Sequence, residues 1–408
     1  MDCDSDNSPP SILHLAKLKF ILCLPEHQFD NVLQAQLLEG IINGNMAPYY
    51  KTVCTDLSWN MDVDLLNKMH ATNEEELSKF DTQSEMAEED DYLSVWQDKL
   101  NYLCNIGDKG NAEELARSKL KDKSLSMQSR SHAVFALFRI SYIHGCELVG
   151  MRKAIEEAES LILGGSVSDG AGDWSSRNKL KAYLGLYNLA MREYNKAACL
   201  FLDCVPTFES YELASFEDIV WYTLLACMVA LPRNELQSNF GQSGEMAHAL
   251  RRKCPEFCEY FMSLYECRYG DFFVNLAQME TKMRLDPLLH PHYRHYVREM
   301  KLRAYDQLLQ AYSSFGLKKM SETFGVSEDF MEKEVAQFVA DGRLQCKIDR
   351  VAKTVVTLFC GAQSKFGCSE TELLSGAVHD REVFYQKIIK HGDNVLNRTK
   401  KLARVIDF

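Results

Sequence analysis

The sequence predicts a mainly α-helical protein, in which a right-handed helical-repeat, TPR-like solenoid is followed by a winged-helix module and a C-terminal helix. Three patterns support this fold class. Helix-opening segments recur at the spacing of stacked two-helix units. A helix, turn, helix and hairpin pattern follows residue 290, and apolar pairs recur every seven residues near the end of the chain.

Composition is typical of a folded protein in a reducing compartment. The chain has 408 residues, of which 46% are hydrophobic and 25% charged, as expected for two or three globular domains. Its net charge of −12 disfavours nucleic acid and membranes as partners, because phosphates and anionic lipids attract positive surfaces. The 14 cysteines are scattered, so we expect free thiols and a location in cytoplasm and nucleus.

A repeat of small residues predicts the solenoid. Ala112, Ala154 and Ala197 each stand near the start of a predicted helix, 42 and 43 residues apart. This spacing suits two-helix units that stack on one another. Gly185 and Phe201 also fit positions of the tetratricopeptide pattern, in which small residues let paired helices approach closely. The alternative is that alanines in any helical protein sometimes align by chance.

An acidic segment precedes the repeats. Thr72–Asp91 holds nine acidic residues and one lysine. The simplest interpretation is a solvated helical face or connector. A docking strip for a basic partner is the alternative.

After His290 the pattern becomes that of a winged helix. A long helix is predicted over Tyr296–Tyr312, Ser327 is placed to cap a later helix, and Gly342 to end it. The further predicted elements are the helices Leu317–Phe324 and Glu328–Ala340 and the strands Leu344–Ile348 and Thr354–Phe359. The predicted core residues of this module are Phe324, Val326, Met331, Val335, Phe338, Leu344 and Ile348.

The charge of the second short helix opposes DNA binding. This helix carries Glu328, Asp329, Glu332 and Glu334 but only Lys333 as a cation. A recognition helix must approach phosphates, which would repel these carboxylates. The strand edges and helix faces of the module are therefore predicted to contact protein. A nucleic-acid-associated or translation-factor role is the alternative.

The last predicted helix, Glu382–Val405, has an apolar seam. Its apolar pairs recur every seven residues, as in a helix that packs along other helices. The predicted interaction residues of this bundle helix are Ile388, Ile389, Val395, Leu396 and Leu402. The outer face is basic, so membrane or calmodulin binding is an alternative that we rank below bundle formation in an acidic chain.

No catalytic motif is found in the sequence, and we expect no catalytic, cofactor-binding or metal-binding residues. A P-loop, a GxSxG elbow and an HExxH motif are all absent. Three imidazoles, His290, His292 and His295, lie within six residues, but no fourth zinc ligand is set by spacing. Cys254, Cys258 and Cys267 lack a second paired CxxC, and core packing explains them better. A metalloenzyme at the histidine turn is therefore a minor alternative.

Longer segments of the chain resemble the non-ATPase regulatory subunit 6 family, PCI-domain subunits of the 26S proteasome lid. The segments that carry this resemblance are Leu24–His27, Asn45–Tyr50, Asp62–Met69, Gly172–Trp174, Ser263–Tyr269, His292–Arg294, Tyr296–Met300, Gly342–Leu344 and Cys346–Asp349. They extend from about residue 15 to the end of the chain and are more specific than short motifs. The first subunit of the COP9 signalosome shares this architecture and is the runner-up.

The resemblance implies a scaffold without bound ATP or zinc. By this resemblance, the winged helix is expected to align with those of other PCI subunits in a horseshoe, and the C-terminal helix to join a helical bundle shared by the lid. The implied partners are other PCI-domain and MPN-domain lid subunits and the proteasome base, without nucleic acid or membrane. The zinc isopeptidase pattern of the lid would need Ser and Asp where this chain has Met300 and Arg303.

Between Val356 and Tyr385 the chain is roughly a dozen residues longer than the family pattern, which fits an insertion in an exposed loop. The predicted regions are a disordered tail (1–11), an N-terminal helical region with the acidic connector (12–100), the TPR-like solenoid (101–290), the PCI winged helix (291–360), the inserted loop (361–381) and the bundle helix (382–408).

Overall fold

The computed structural model is mainly α-helical, with one small sheet, and it describes residues 12–86, 89–121, 127–162, 170–208, 212–241, 246, 250–251, 255–357 and 395. The chain forms two compact units. The first unit contains Met1–Ala226 and Gln278–Arg294, and the second contains Cys227–Ala277 and His295–Phe408.

The helices that begin within the first unit run in sequence with short connections. They are α1 (Ile12–Cys23), α2 (Asn31–Asn43), α3 (Ala47–Asp56), α4 (Val63–Met86), α5 (Glu89–Ile106), α6 (Lys109–Leu120), α7 (Met127–Ile143), α8 (Leu148–Ile162), α9 (Gly170–Ala190), α10 (Tyr194–Cys204) and α11 (Phe216–Ala230).

The elements that begin in the second unit are α12 (Arg233–Phe240), α13 (Pro255–Tyr265), α14 (Tyr269–Arg284), the strand β1 (Ser314–Gly316), α16 (Leu317–Phe324), α17 (Glu328–Ala340), β2 (Cys346–Asp349) and β3 (Thr354–Thr357). The helix α15 (Tyr293–Leu309) precedes β1 and has its first two residues in the first unit. Within the described part of the chain, no helix is both long and apolar enough to cross a bilayer.

The helical-repeat solenoid lies in the first unit. From α5 to α10 each helix packs on its neighbours in the chain, which is how stacked hairpins bury a continuous core. Ala112 and Ala197 are buried in the first turns of α6 and α10, whereas Ala154 is buried in the middle of α8, which begins earlier than predicted, at Leu148. A Cβ atom added to Gly185 in α9 would lie 2.5 Å from the Phe201 ring of α10, so only glycine permits this close approach.

The acidic segment forms a solvated helical face. It occupies the second half of α4 and the start of α5. Glu74, Glu75, Asp81 and Glu85 are exposed, and Lys79 pairs with Glu75 at 3.1 Å on the same helix. Charged residues on this face keep it in water, as the sequence pattern indicated.

Stability should depend on pH through a half-buried histidine of the first unit. Burial, with help from Lys109 and Lys19, lowers the pKa of His144 to about 4. Between about pH 4 and its ordinary value of 6.5, the unfolded chain therefore binds a proton that the folded chain does not. Stability contributed by neutral His144 should increase as pH rises through this window, by at most about 3 kcal/mol.

Urea unfolding at several pH values checks this expectation. His144→Gln should flatten the increase in unfolding free energy between pH 4 and 6.5. His14→Gln, at an exposed position of α1, is the matched control and should leave the profile unchanged. The same slope in His144→Gln and the parent chain would contradict the assignment.

The winged helix of the second unit has the helices predicted from sequence and one additional strand. The bounds of α16 and α17 agree with the prediction, whereas α15 begins and ends three residues earlier than the predicted Tyr296–Tyr312. β2 begins at Cys346 rather than at Leu344, and residues 358–359 of the other predicted strand lie outside the described residues. β1 was missed, because three residues give too short an alternation to detect.

Glycines end both short helices of the module. Gly325 and Gly342 have φ values of 67° and 68°, which L-residues with a side chain rarely adopt. After Gly342, the Arg343 N–H donates to the Phe338 carbonyl at 3.0 Å, and the Gly342 N–H donates to the Val339 carbonyl at 3.0 Å. These are the two hydrogen bonds of a Schellman motif. Ser327 occupies the N-cap position of α17, but its side chain makes no capping hydrogen bond, contrary to the expected role.

Candidate assembly interface

An aromatic cluster holds the winged helix on α15. The ring of Tyr305 lies 4.9 Å from Phe324 of α16, 6.0 Å from Phe338 of α17 and 6.0 Å from Phe273 of α14, between ring centroids. All three pairs are T-shaped, a favoured arrangement of aromatic rings. The cluster therefore fixes the two short helices against one side of α15.

The seven predicted core residues differ in burial. Phe324, Met331, Val335, Phe338 and Leu344 are buried. Val326 and Ile348 are only half-buried. Val326 follows the turn at Gly325, and Ile348 lies in an edge strand, so each has packing neighbours on fewer sides. These two positions correct the predicted core.

Glu334 of α17 connects to α15 through polar contacts. Its carboxylate accepts a hydrogen bond from the Tyr305 hydroxyl and lies 2.6 Å from Lys301 Nζ. Burial, together with the Glu334 carboxylate, raises the pKa of Tyr305, so the phenol stays protonated and donates. This carboxylate, which sequence reasoning counted as exposed acidity, instead attaches α17 to the long helix.

The wing and α15 neutralise most of the acidic charge on α17. Glu328 pairs with Lys353 at 2.8 Å, and Glu332 pairs with Arg350 at 2.9 Å. The sequence argument against DNA used only residues of α17 and therefore overestimated its repulsive field. Exposed pairs of this kind contribute little to stability, but they orient the wing beside the helix.

The sheet of the module has two open edges. Its strand order is β1-β3-β2, both pairs antiparallel, with Phe315 opposite Val355 and Ile348 opposite Val355. Within the described residues, no strand pairs with the outer edge of β1 or β2. Lys347 and Asp349 on β2 are exposed charges that discourage indiscriminate pairing at this edge.

Two large apolar side chains near the end of the module are exposed to different degrees. Val351, in the turn between β2 and β3, is 97% exposed. Phe330 of α17 is 40% exposed, with Lys301 Nζ 5.2 Å from its ring centroid. The β2 edge and Val351 form the surface that we call the wing surface, whereas Phe330 lies on the side of α17 that faces Lys301 of α15.

Arg303 has a structural role that sequence reasoning missed. Its guanidinium donates hydrogen bonds to the backbone carbonyls of Met228, near the end of α11, and Leu231. The Met228 carbonyl would normally accept from the N–H four residues later, but that residue is Pro232, which has none. A proline four residues after a helix-terminal carbonyl is therefore the sequence signal for this requirement.

The histidine turn uses its ring nitrogens in structural hydrogen bonds. His292 Nδ1 accepts from Arg192 Nε at 2.7 Å, and Nε2 lies 2.7 Å from the Ala190 carbonyl. His290 Nδ1 lies 2.8 Å from the Arg284 carbonyl, and its ring contacts Phe20 edge-on. Across the described ranges, no group of three or more His, Cys, Asp or Glu side chains could hold a metal ion.

The cysteine candidates do not converge either. Cys254 lies outside the described residues, whereas Cys258 and Cys267 are separate free thiols. Hydrogen bonds from Tyr269, Arg233 and Gln307 outweigh burial and lower the pKa of Cys267. These contacts position one thiol at the start of α14 and do not form a metal centre.

The bundle-helix residues cannot be placed in the fold. Ile388, Ile389, Leu396 and Leu402 lie outside the described residues, as does the inserted loop 361–381. Val395 is described by itself, helical and exposed.

Three family models match successive parts of the chain. The model described as 26S proteasome subunit RPN7 matches residues 62–239, and the PCI domain model matches residues 276–358. The model of the 26S proteasome regulatory subunit RPN7/PSMD6 C-terminal helix matches residues 385–406. The order of the matches is the order predicted from sequence.

Relatives from plants, animals and fungi match nearly the whole chain. A 26S proteasome non-ATPase regulatory subunit 6 homolog of Arabidopsis thaliana is 35% identical, over 100% of each chain. The subunit 6 of Caenorhabditis elegans is 34% identical, over 97% of this chain and 93% of its own. The regulatory subunit rpn7 of Schizosaccharomyces pombe is 32% identical, over 91% and 89%. The chain therefore belongs to the family of 26S proteasome non-ATPase regulatory subunit 6, or RPN7.

Proposed function

We propose that the chain is a non-catalytic scaffold subunit of the lid of the 26S proteasome regulatory particle, where it supports ubiquitin-dependent protein degradation. The observation that carries this proposal is the similarity to regulatory subunits over the full chain. Its partners are other PCI-domain and MPN-domain subunits of the lid, and the proteasome base. Its location is the cytoplasm and nucleus.

The wing surface supports the part of the proposal that concerns neighbouring PCI subunits. An open strand edge presents backbone N–H and C=O groups that a strand of another chain can pair with. Val351 adds exposed apolar area in the turn that follows that edge. Backbone pairing would provide affinity, and the flanking side chains would select the partner.

The C-terminal helix supports the part that concerns the shared bundle. A seven-residue apolar repeat cannot be buried by one helix alone, so it requires other helices. The family model for this helix matches residues 385–406. We infer that Ile388, Ile389, Val395, Leu396 and Leu402 pack against helices of other lid subunits.

Affinity purification of the tagged chain from its own cells tests the proposal, with mass spectrometry of the proteins recovered. The full chain should recover proteasome lid and base subunits. A chain ending after Glu382 and the variant Val351→Asp should each reduce that recovery, by at least about fivefold for the truncation, since losing a bundle helix removes several kcal/mol of contacts.

The control for the wing is Val274→Asp, which introduces the same charge at an exposed position of α14 in the same unit. It should recover the proteasome as the parent chain does. Recovery of COP9 signalosome subunits, or of no complex, by the full chain would overturn the proposal. If the truncated chain recovered proteasome subunits as well as the full chain does, the C-terminal helix would have no part in the proposed assembly.

A further inference from the structure

A groove crosses the solenoid of the first unit. α6 and α8 each form a hairpin with α7, so they run parallel to one another and form two walls with α7 as the floor. The groove has a volume of about 680 Å³. From Lys109 to Lys121 the α6 wall is about 18 Å long at 1.5 Å per residue, enough for roughly six residues of extended peptide.

The lining of this groove is positively charged in an otherwise acidic chain. Five lysine or arginine residues and three glutamates line it. Lys109 pairs with Glu147 at 2.9 Å, and Arg117 pairs with Glu113 at 3.3 Å. Three cations of the lining form no ion pair within the described part of the chain, namely Lys121, Arg130 and Lys153. Only one further carboxylate of the lining, Glu157, remains to offset their charge.

Two of these three cations, Lys121 and Arg130, lie at one end of the groove, whereas Lys153 lies partway along the α8 wall. Lys121 lies at the end of α6, and Arg130 lies in the first turn of α7, the helix that follows α6 along the chain. Its Nε atom is buried and has no hydrogen-bond partner. A buried donor without an acceptor is costly, so this end of the groove would gain from an anion that draws the guanidinium into hydrogen bonds.

The size of the charge excess favours phosphate over a single carboxylate. The lining carries two more positive than negative charges, and a phosphorylated serine or threonine carries about −1.5 to −2 at neutral pH. Arginine and lysine clusters bind such groups through several charge-assisted hydrogen bonds. Beside the charges, Val149 is 62% exposed at the groove and can pack against an apolar peptide side chain.

We propose that this groove binds a phosphorylated serine or threonine within an extended segment of a partner protein. The phosphate lies at the end of the groove that holds Lys121 and Arg130, and the peptide backbone follows the groove between α6 and α8 past Lys153. This binding is separate from assembly through the wing surface and the C-terminal helix.

Fluorescence anisotropy with the full chain tests the proposal. The probes are three fluorescein-labelled pools of nine-residue peptides, with phosphoserine, serine or glutamate fixed at the centre and random flanking residues. The phosphoserine pool should bind at least about fivefold more tightly than either other pool, since a dianion engages more cations than a carboxylate. Lys121→Gln combined with Lys153→Gln should remove this difference.

The control is Lys51→Gln combined with Lys68→Gln, which removes the same charge from exposed positions of α3 and α4. It should bind the phosphoserine pool as the parent chain does. Arg130→Met should also lose the preference, with circular dichroism and thermal unfolding verifying its fold. Equal binding of phosphoserine and serine pools, or equal losses in the control, would overturn the proposal. If the glutamate pool bound as tightly as the phosphoserine pool, the ligand would be an acidic segment and the proposal of a phosphorylated residue would be overturned.

Discussion

Replacing Arg303 with Met is expected to destabilise the second unit by about 2–5 kcal/mol. The substitution removes the donors that satisfy the Met228 and Leu231 carbonyls. The Met228 carbonyl has no substitute donor in the helix, because Pro232 occupies the position four residues later. Each buried polar group left unsatisfied costs about 1–3 kcal/mol. The measurement is the urea midpoint of unfolding, followed by a probe in the second unit such as hydrogen exchange of α15.

Two further variants isolate the cause. Arg303→Lys keeps the charge, but its single ammonium group cannot bind both carbonyls as the planar guanidinium does. The urea midpoint of this variant should therefore lie between those of Arg303→Met and the parent chain. Arg268→Met is the matched control, because Arg268 is an exposed arginine of the same unit with carboxylate partners Glu259, Glu266 and Asp271. It should change the midpoint little. Equal shifts of the urea midpoint in Arg303→Met and Arg268→Met would contradict the role of Arg303 as the donor to the two carbonyls.

Gly185→Ala is expected to destabilise the solenoid by about 1–3 kcal/mol. The usual effect in a helix interior is the opposite, since alanine favours helix by about 1 kcal/mol over glycine. Here the new Cβ would lie 2.5, 2.8 and 3.0 Å from three atoms of the Phe201 ring, which is fully buried and has no free space to move into. Thermal unfolding of the parent and variant chains shows directly whether Gly185→Ala lowers or raises the stability.

The matched control is Gly110→Ala, at an exposed position near the start of α6. Its added Cβ would meet only Asp108 Oδ1, at 3.9 Å. This substitution should stabilise the folded chain by about 0.4–1 kcal/mol, because it reduces the conformational entropy of the unfolded chain. Phe201→Leu should also reduce the cost of Gly185→Ala when the two are combined, because it removes the atoms that clash. Additive effects of the two substitutions would contradict the contact.

Local features in the sequence were sufficient for the helical fold class. The bounds of α16 and α17 follow from residues at their own ends, where Gly325 and Gly342 end the helices through left-handed turns. The repeat of small residues was readable because close helix approach demands a small side chain at a fixed spacing. β1 was not readable, because its three residues become a strand only by pairing with β3.

The polar contacts of the candidate interface could not be read from sequence. Glu334 was counted with the acidic face of α17, yet it pairs with Lys301 of α15, 33 residues away. The wing cations that pair with Glu328 and Glu332 are likewise distant in sequence. Electrostatic energy depends on the distance between charges in space. A sum over the charges of α17 alone left out the nearby cations of α15 and the wing, and it therefore overestimated the negative potential of this helix.

By itself, the sequence determined the fold class, the helices and turns of the winged helix, and the family. These depend on local propensities, short periodicities and long shared segments, which the order of residues contains directly. Only the tertiary structure decided the roles of Arg303, His292 and Glu334 and brought the cations of the solenoid groove together. Each of these depends on residues that different segments of the fold bring together, and only packing determines which side chain meets which carbonyl or carboxylate.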